Sequence, residues 1–375
     1  MIRKTRLGPL LALLAIAAGL AAVLPARAGA AVNWVVHGRG FGHGVGLSAY
    51  GAYGYALHDK GYRFILGHYY KGTTVGNLSG ERTVRVLLDT SSGDVAFSHA
   101  TAACGETVQA QLTYRAHRIG NTVRLLGPSG RLLAKCGGKL RASGRGRIEI
   151  AGLGTYRGAL ETVPSGGALN VVNALAVNQY VKGVIPNESP PSWPTAELKA
   201  QAVASRSFAL TAGVDGDGFD LYADTRSQVY KGLESEYGRT NEIAEATRGQ
   251  VVLYKGHLAE TLFSACSGGH TESIKFVFGS AIPYLVGVPD PYDYYCPLHK
   301  WTLKFSGPEI SSRLGAYLDG KLRKVVVTKH GLTPRIIQAK LYGTGGVTTV
   351  SGEQLEVALG GYSTWMSFEK RLSAR

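Results

Sequence analysis

Glu188 is a carboxylate with rigid and apolar neighbours. In the stretch VKGVIPNESPPSWPTAELKAQAVASRSFAL, residues 181–210, it is surrounded by Pro186, Pro190, Pro191, Trp193 and Pro194. Such surfaces strip water from a carboxylate, and lost hydration disfavours its charged form, so the group should hold a proton toward neutral pH and act as a general acid. An acid of this kind can protonate a glycosidic oxygen. Glycosidases ordinarily place two carboxylates across that bond, and the motif holds no second one. Asp220, Asp224, Asp290 and Asp293 qualify only if folding returns them to it. One carboxylate suffices when the sugar's own C6 hydroxyl attacks C1. The group that protonated the leaving oxygen then takes the hydroxyl proton back, and a 1,6-anhydro sugar results. The bland counterpart is a structural ion pair of Glu188 with Lys182, Lys199 or Arg206.

The elements that must position this acid follow from periodicity. Val177, Tyr180, Val181 and Val184 stand at helical spacing, which predicts a short helix ending near Gly183, with Glu188 in the loop beyond. Thr195 is the expected N-cap of a second helix from Ala196 to about Leu210, with Glu197 suited to its positive end. On that helix Lys199 and Arg206 share one face, and Gln201 and Ser205 another. Ahead of it, residues 82–177 read as short strands (TVRVLLD, TVRLLG, RIEIAG, ALNVVNAL) between Gly, Ser and Asn turns. RGQVVLYKGHLAE predicts a hairpin turning at Lys255 and Gly256, and the tail returns to strands and a short apolar helix. The fold class expected is α+β, a β-rich platform carrying a helical catalytic segment, as one domain or two tightly packed lobes.

Four cysteines, Cys104, Cys136, Cys266 and Cys296, suit an oxidising compartment and favour the local pairs 104 with 136 and 266 with 296, although three connectivities exist. Cys266, His270, Cys296 and His299 are alternatively a zinc-capable set without a paired C-x-x-C signature. His43 is a substrate contact or a core histidine bonded to backbone. Among the 20 tyrosines, Tyr230 is the one favoured for a sugar, with the tyrosines of residues 292–295 a weaker choice.

Composition limits the setting. The sequence is 375 residues long, 45% hydrophobic and 18% charged, an ordinary globular balance. Arg3, Lys4 and Arg6 precede an apolar run at 7–24 and the small-x-small pattern Ala26-Arg27-Ala28, so residues 1–28 read as a secretory signal, an uncleaved anchor being the rival. The formal charge of +15 falls by the four cations of that segment to +11. A basic field outside the cell attracts polyanions such as teichoic acids, wall carboxylates or phospholipid headgroups. No basic run interleaved with aromatics argues for nucleic acid.

NVVNALAVNQYVKGVIPNESPPSWPTAELKAQAVASRSFAL, followed by DTRSQVYKG, ATRGQVV, SACSGGHTES, PYLVGVPDP and Trp301, resembles the SpoIID/LytB family. The resemblance implies a peptidoglycan lytic transglycosylase, or an amidase enhancer, that is secreted and associated with the wall. It also implies Glu188 as acid/base, with Gln201, Arg206 and Tyr230 near the cleft; Lys199 and His43 complete the expected substrate contacts. Glycan strands, denuded of stem peptides in sporulation-type relatives, and a peptidoglycan amidase are the implied partners, with no cofactor and no metal. Tyr222, Arg226 and Ser227 occupy positions where zinc-holding relatives carry ligands. The element GRGFGHGVGLSAYGAYGYALHDKG, which closes the family's domain, here opens the chain, with Ala49 in place of a usual Gln. The order implied is a circular permutation: a signal at 1–28, the displaced element at 29–80 and the main domain at 81–375, its catalytic segment at 170–305.

Overall fold

The computed structural model describes residues 32–372 apart from 215 and 217; the leader read at 1–28 lies outside them. Strands and helices mix in an α+β fold. Its platform is a seven-stranded sheet ordered Leu221–Tyr222, Thr83–Ser91, Ala168–Ala176, Ala159–Ser165, Leu140–Ser143, Ala102–Ala103, Glu106–Thr107. Ala168–Ala176 is nearly continuously apolar because it is covered on both faces, every residue from Leu169 to Leu175 being buried. It pairs antiparallel with Thr83–Ser91 on one side and with Ala159–Ser165 on the other. A six-stranded sheet running from Leu132–Lys135 to Gly154–Tyr156 packs against the platform. The shared core includes Phe97, Tyr114, Val123, Leu125, Leu140 and Ile148.

The platform aims the helices. Helices α1 (Ala49–Leu57) and α2 (Tyr62–Tyr69) come from the glycine-dense segment. The central strand runs directly into α3 (Val177–Glu188), for which Ala176 is the N-cap, and α4 (Thr195–Thr211) follows a six-residue connection. α5 (Gly238–Ala246) closes behind them. α4 separates two cores. Leu198, Ala202 and Ala209 join the platform core, while Ala200, Val203 and Ala204 pack with Val45, Leu47, Ile65, Leu66, Tyr69 and Tyr70 of the glycine-rich element. A helix buried on both sides needs small side chains if both neighbours are to approach, which accounts for its alanines and serines.

Two boundaries differ from the sequence expectation. α3 does not stop near Gly183 but continues through Pro186 to Glu188, so the acid is the last helical residue rather than a loop residue. Proline removes one N–H from the final turn, and the Asn187 side-chain amide adds a donor there, to the carbonyl of Gly183 at 2.8 Å. Thr195 is the first residue of α4, not its cap; Pro194, with φ −56° and ψ 143°, turns the chain into the helix. The hairpin at Lys255 and Gly256 is present, joining Gln250–Tyr254 to His257–Leu258, and both residues take positive φ. Both cysteine pairs form as expected, Cys104 with Cys136 and Cys266 with Cys296.

A third core gathers the two ends of the described chain. Val32–Gly38 is the middle strand between Trp301–Ser306 and Met366–Leu372, antiparallel to both, and buries Trp34 and Val36 with Trp301, Phe305, Ile336 and Met366. The expected apolar tail helix is Gly352–Leu359, held at its start by a capping box of Ser351 and Gln354.

Candidate functional site

Glu188 projects from the C-terminal end of α3, half-buried, and its Oε1 accepts the backbone N–H of Val229 at 2.8 Å. Burial raises its pKa above the ordinary carboxylate value, and the Val229 hydrogen bond opposes that rise in part. None of the cations offered as structural partners pairs with it. Lys182 binds Glu245 at 2.6 Å, Lys199 lies 5.9 Å above the Tyr62 ring, and Arg206 is engaged elsewhere. The carboxyl is therefore desolvated without a counter-charge from its own helices, the condition that favours a proton donor.

The residue after the acid is tethered to the next helix. Ser189, the C-cap of α3, donates its hydroxyl to Oε1 of Glu197 at 2.7 Å. Glu197 is fully buried, and desolvation pushes its pKa up to about 8, against the Ser189 hydrogen bond. It is thus a neutral acid at pH 7, and its Oε2 has no hydrogen-bond partner among the described residues. One turn along α4, Gln201 donates to Ser205 Oγ at 3.1 Å, and Gln228, beside Val229, donates to the Ser205 carbonyl at 3.4 Å. Sequence reasoning took Glu197 only as a first-turn charge. Its burial and its link to the acid were not visible.

Trp193, midway between α3 and α4, meets residues from distant segments. The rings of Tyr50 and Tyr53 on α1 each lie 4.8 Å from it, Tyr53 lies 5.6 Å from Tyr295, and Tyr295 lies 4.5 Å from Tyr294. Tyr294 and Tyr295 are exposed and the others half-buried. This row can present ring faces to sugars at the connection that follows the acid.

Several expected contacts are buried or turned toward other parts of the chain. Arg206 is fully buried: it donates to Asn178 Oδ1 at 2.8 Å, to the Gln250 carbonyl at 3.0 Å and to the Ala244 carbonyl at 3.3 Å, locking α4 to α3, α5 and a strand. Desolvation lowers its pKa to about 10. Tyr230 is buried between Tyr180 and Tyr156, with its hydroxyl on Asn173 Oδ1 at 2.7 Å. Gly183 leaves room for that ring, since a Cβ there would lie 2.6 Å from it. Gln201 is equally inaccessible, and Lys199 turns toward Tyr62. All four read as substrate contacts from their position in the motif, but packing directs them inward or away.

No described bond or ring contact joins His43 to Glu188. Its Nδ1 accepts the Val45 N–H at 2.9 Å, and its ring lies 5.6 Å from Phe278. Desolvation and the nearby Arg335 lower its pKa to about 4, so it is neutral at pH 7. Gly44 takes φ +74°, and a Cβ there would lie 2.2 Å from the Arg335 guanidinium, so this glycine is required by close approach.

Nor does a second carboxylate join Glu188 through any described bond. Asp220 accepts the Arg85 N–H, and Asp224 is held by Arg226 at the surface. Asp290 accepts from Tyr69 and Ser267, while Asp293 accepts from Ser48, Ser267, Gly268 and His299. The zinc-capable alternative is overturned by chemistry: Cys266 and Cys296 are joined, so neither offers a thiolate, and the described residues contain no metal-ready cluster.

Residues 165–254, which span the central strand, α3, α4 and α5, match the family model described as SpoIID, Stage II sporulation protein. An uncharacterized protein of Brachyspira hyodysenteriae is 40% identical over 165 residues, 43% of this chain and 45% of its own length. The amidase enhancer of Bacillus subtilis (strain 168) is 38% identical over 133 residues, 36% of this chain and 18% of its own length. Stage II sporulation protein D of the same organism is 32% identical over 206 residues, 50% of this chain and 59% of its own length. The chain thus spans less than two thirds of the length of each of these relatives.

Proposed function

We propose that this chain, whose residues 165–254 match the SpoIID model and which is similar to Stage II sporulation protein D and an amidase enhancer, is an extracytoplasmic peptidoglycan lytic transglycosylase in which Glu188 is the single acid/base. The observation that carries the reading is a desolvated carboxyl, raised above its ordinary pKa, with neither a cation on its own helices nor, among the described residues, a second carboxylate bonded to it. Glu188 gives its proton to the oxygen linking a MurNAc unit to the next GlcNAc as the C1–O bond breaks. The C6 hydroxyl of the same MurNAc then attacks C1, its proton passes to the Glu188 carboxylate, and the acid is restored with a 1,6-anhydro end formed. No metal or cofactor enters this scheme. Glycan strands, denuded of stem peptides, are the substrate class, and the row of Trp193, Tyr50, Tyr53 and Tyr295 is their platform.

The similarity to an amidase enhancer favours a second reading, a wall-binding module that stimulates a peptidoglycan amidase without cleaving glycan itself. Mass spectrometry of digested peptidoglycan separates the two. Enzyme action predicts 1,6-anhydro-muramyl ends that vanish in Glu188→Gln; equal amidase stimulation by both proteins, with no new ends from either, favours the enhancer. The permuted order belongs to the same proposal, with residues 29–80 as the displaced element and 170–305 as the catalytic segment of the domain at 81–375. It is supported by the pairing of Val32–Gly38 with Met366–Leu372, which brings the first and last described strands together.

A further inference from the structure

One block of basic charge lies away from Glu188 in the sequence. Between residues 99 and 148 stand nine Lys and Arg against a single acid, Glu106. The register of the six-stranded sheet sets His117 opposite Arg124, and Arg124 opposite Lys135. Like charges directly across an antiparallel pair repel. His117 is offset by Asp94 at 2.7 Å, but neither Arg124 nor Lys135 forms a salt bridge among the described residues. Lys135 is exposed, and it opens onto a cleft of about 420 Å³ beside the Cys104–Cys136 disulfide, lined also by Lys139, Arg141 and Ser143.

Two of the lining cations, Lys139 and Arg141, also reach a buried acid. Glu161 is buried, yet Arg85, Lys139 and Arg141 all bind it, so three cations share one negative charge while remaining partly open to solvent. A fold that needed only to neutralise Glu161 would have used fewer. The result is a positive stripe from Arg124 through Lys135 to Lys139 and Arg141, crossing from one sheet to the other. A small anion would offset one of these charges. A flexible chain with a charge on every repeat offsets them in turn and releases its counterions as it binds.

We infer that this stripe and cleft form a second binding site, for an anionic polymer of phosphodiester-linked repeats, distinct from the surface around Glu188. The site goes beyond the proposed glycan cleavage, and it would hold the protein on a phosphate-bearing wall while the acid acts on a neighbouring strand.

The test is calorimetric titration of the whole protein with poly(glycerol phosphate) at two salt concentrations. Removing a cation from an anionic surface costs about fivefold in affinity, so an Arg124→Gln/Lys135→Gln double variant should lose about 25-fold and show a shallower salt dependence. Lys135→Gln alone, at an exposed side chain that leaves folding intact, should lose about fivefold. Glu188→Gln should bind the polymer as tightly as the parent, and the double variant should still yield the parent's glycan products. Three results overturn the inference: unchanged polymer affinity in Lys135→Gln, lost polymer affinity in Glu188→Gln, or binding to phosphatidylglycerol vesicles with none to the polymer. The first and third leave the glycan reaction untouched, so failure here is distinguishable from failure of the catalytic reading.

Discussion

Replacing Glu197 by glutamine should change how stability depends on pH. The parent carboxyl titrates near an ordinary 4.5 when unfolded and near 8 when folded, because its burial excludes water. Between those values the unfolded chain releases the proton and the folded chain keeps it, so the folded state binds more protons and stability falls as pH rises. At 1.36 kcal/mol per unit, the loss from pH 5 to 7.5 is about 3 kcal/mol. In Glu197→Gln the amide carries no titrating proton and its carbonyl can still accept the Ser189 hydroxyl, so the variant should lack this loss and surpass the parent at pH 7.5. Asp290 and Glu356, which burial also raises to about 7, add slope of the same sign to both proteins and cancel in the difference. Urea unfolding of both proteins at pH 5, 6, 7 and 7.5 reads the effect directly. Parallel curves would mean that Glu197 is ionised in the folded protein, and the picture of a neutral acid bracing the end of α3 would be refuted.

Two further outcomes follow from the buried groups. Arg206→Met should cost about 3–5 kcal/mol in chemical denaturation, because it strands Asn178 and two carbonyls, while KM for glycan stays unchanged in the folded fraction; a raised KM at full stability would restore Arg206 to the substrate site. His43, with a folded pKa near 4 against 6.5, binds fewer protons folded than unfolded, so its contribution is present above pH 6.5 and fades as pH falls toward 4. His43→Gln should therefore flatten the acid limb of the stability profile by about 1–2 kcal/mol at pH 5, and an unaltered limb would show that the ring is protonated in the folded state.

What could be read from residue order was mostly local. Helix α3 announced itself by its period, α4 by its start, the disulfides by the closeness of each pair, and the hairpin at Lys255 by its turn chemistry. Position in the chain also singled out Glu188, because five rigid or apolar residues crowd it in sequence. Burial was another matter. Arg206, Gln201 and Tyr230 sit in a motif that suggested contact with a sugar, yet Arg206 ties α4 to α3, α5 and a strand, Gln201 is buried on α4, and Tyr230 packs against Tyr180 and Tyr156. The row of rings at Trp193 could not be foreseen, since Tyr50, Tyr53 and Tyr295 reach it only when α1 and a loop near residue 295 pack together. Glu197 was missed because an acid in a first helical turn ordinarily needs no explanation beyond the helix dipole. The separation of positive charge was likewise hidden, because the opposition of Arg124 and Lys135 depends on strand register.

The account rests on one carboxyl passing a proton out and back while the sugar attacks itself, without water. Digesting glycan strands in water enriched in oxygen-18 examines that step directly. The account predicts new ends that are 1,6-anhydro and carry no oxygen-18, absent in Glu188→Gln. Reducing ends bearing one oxygen-18 would contradict it, since they require water at C1 and a second group to activate it.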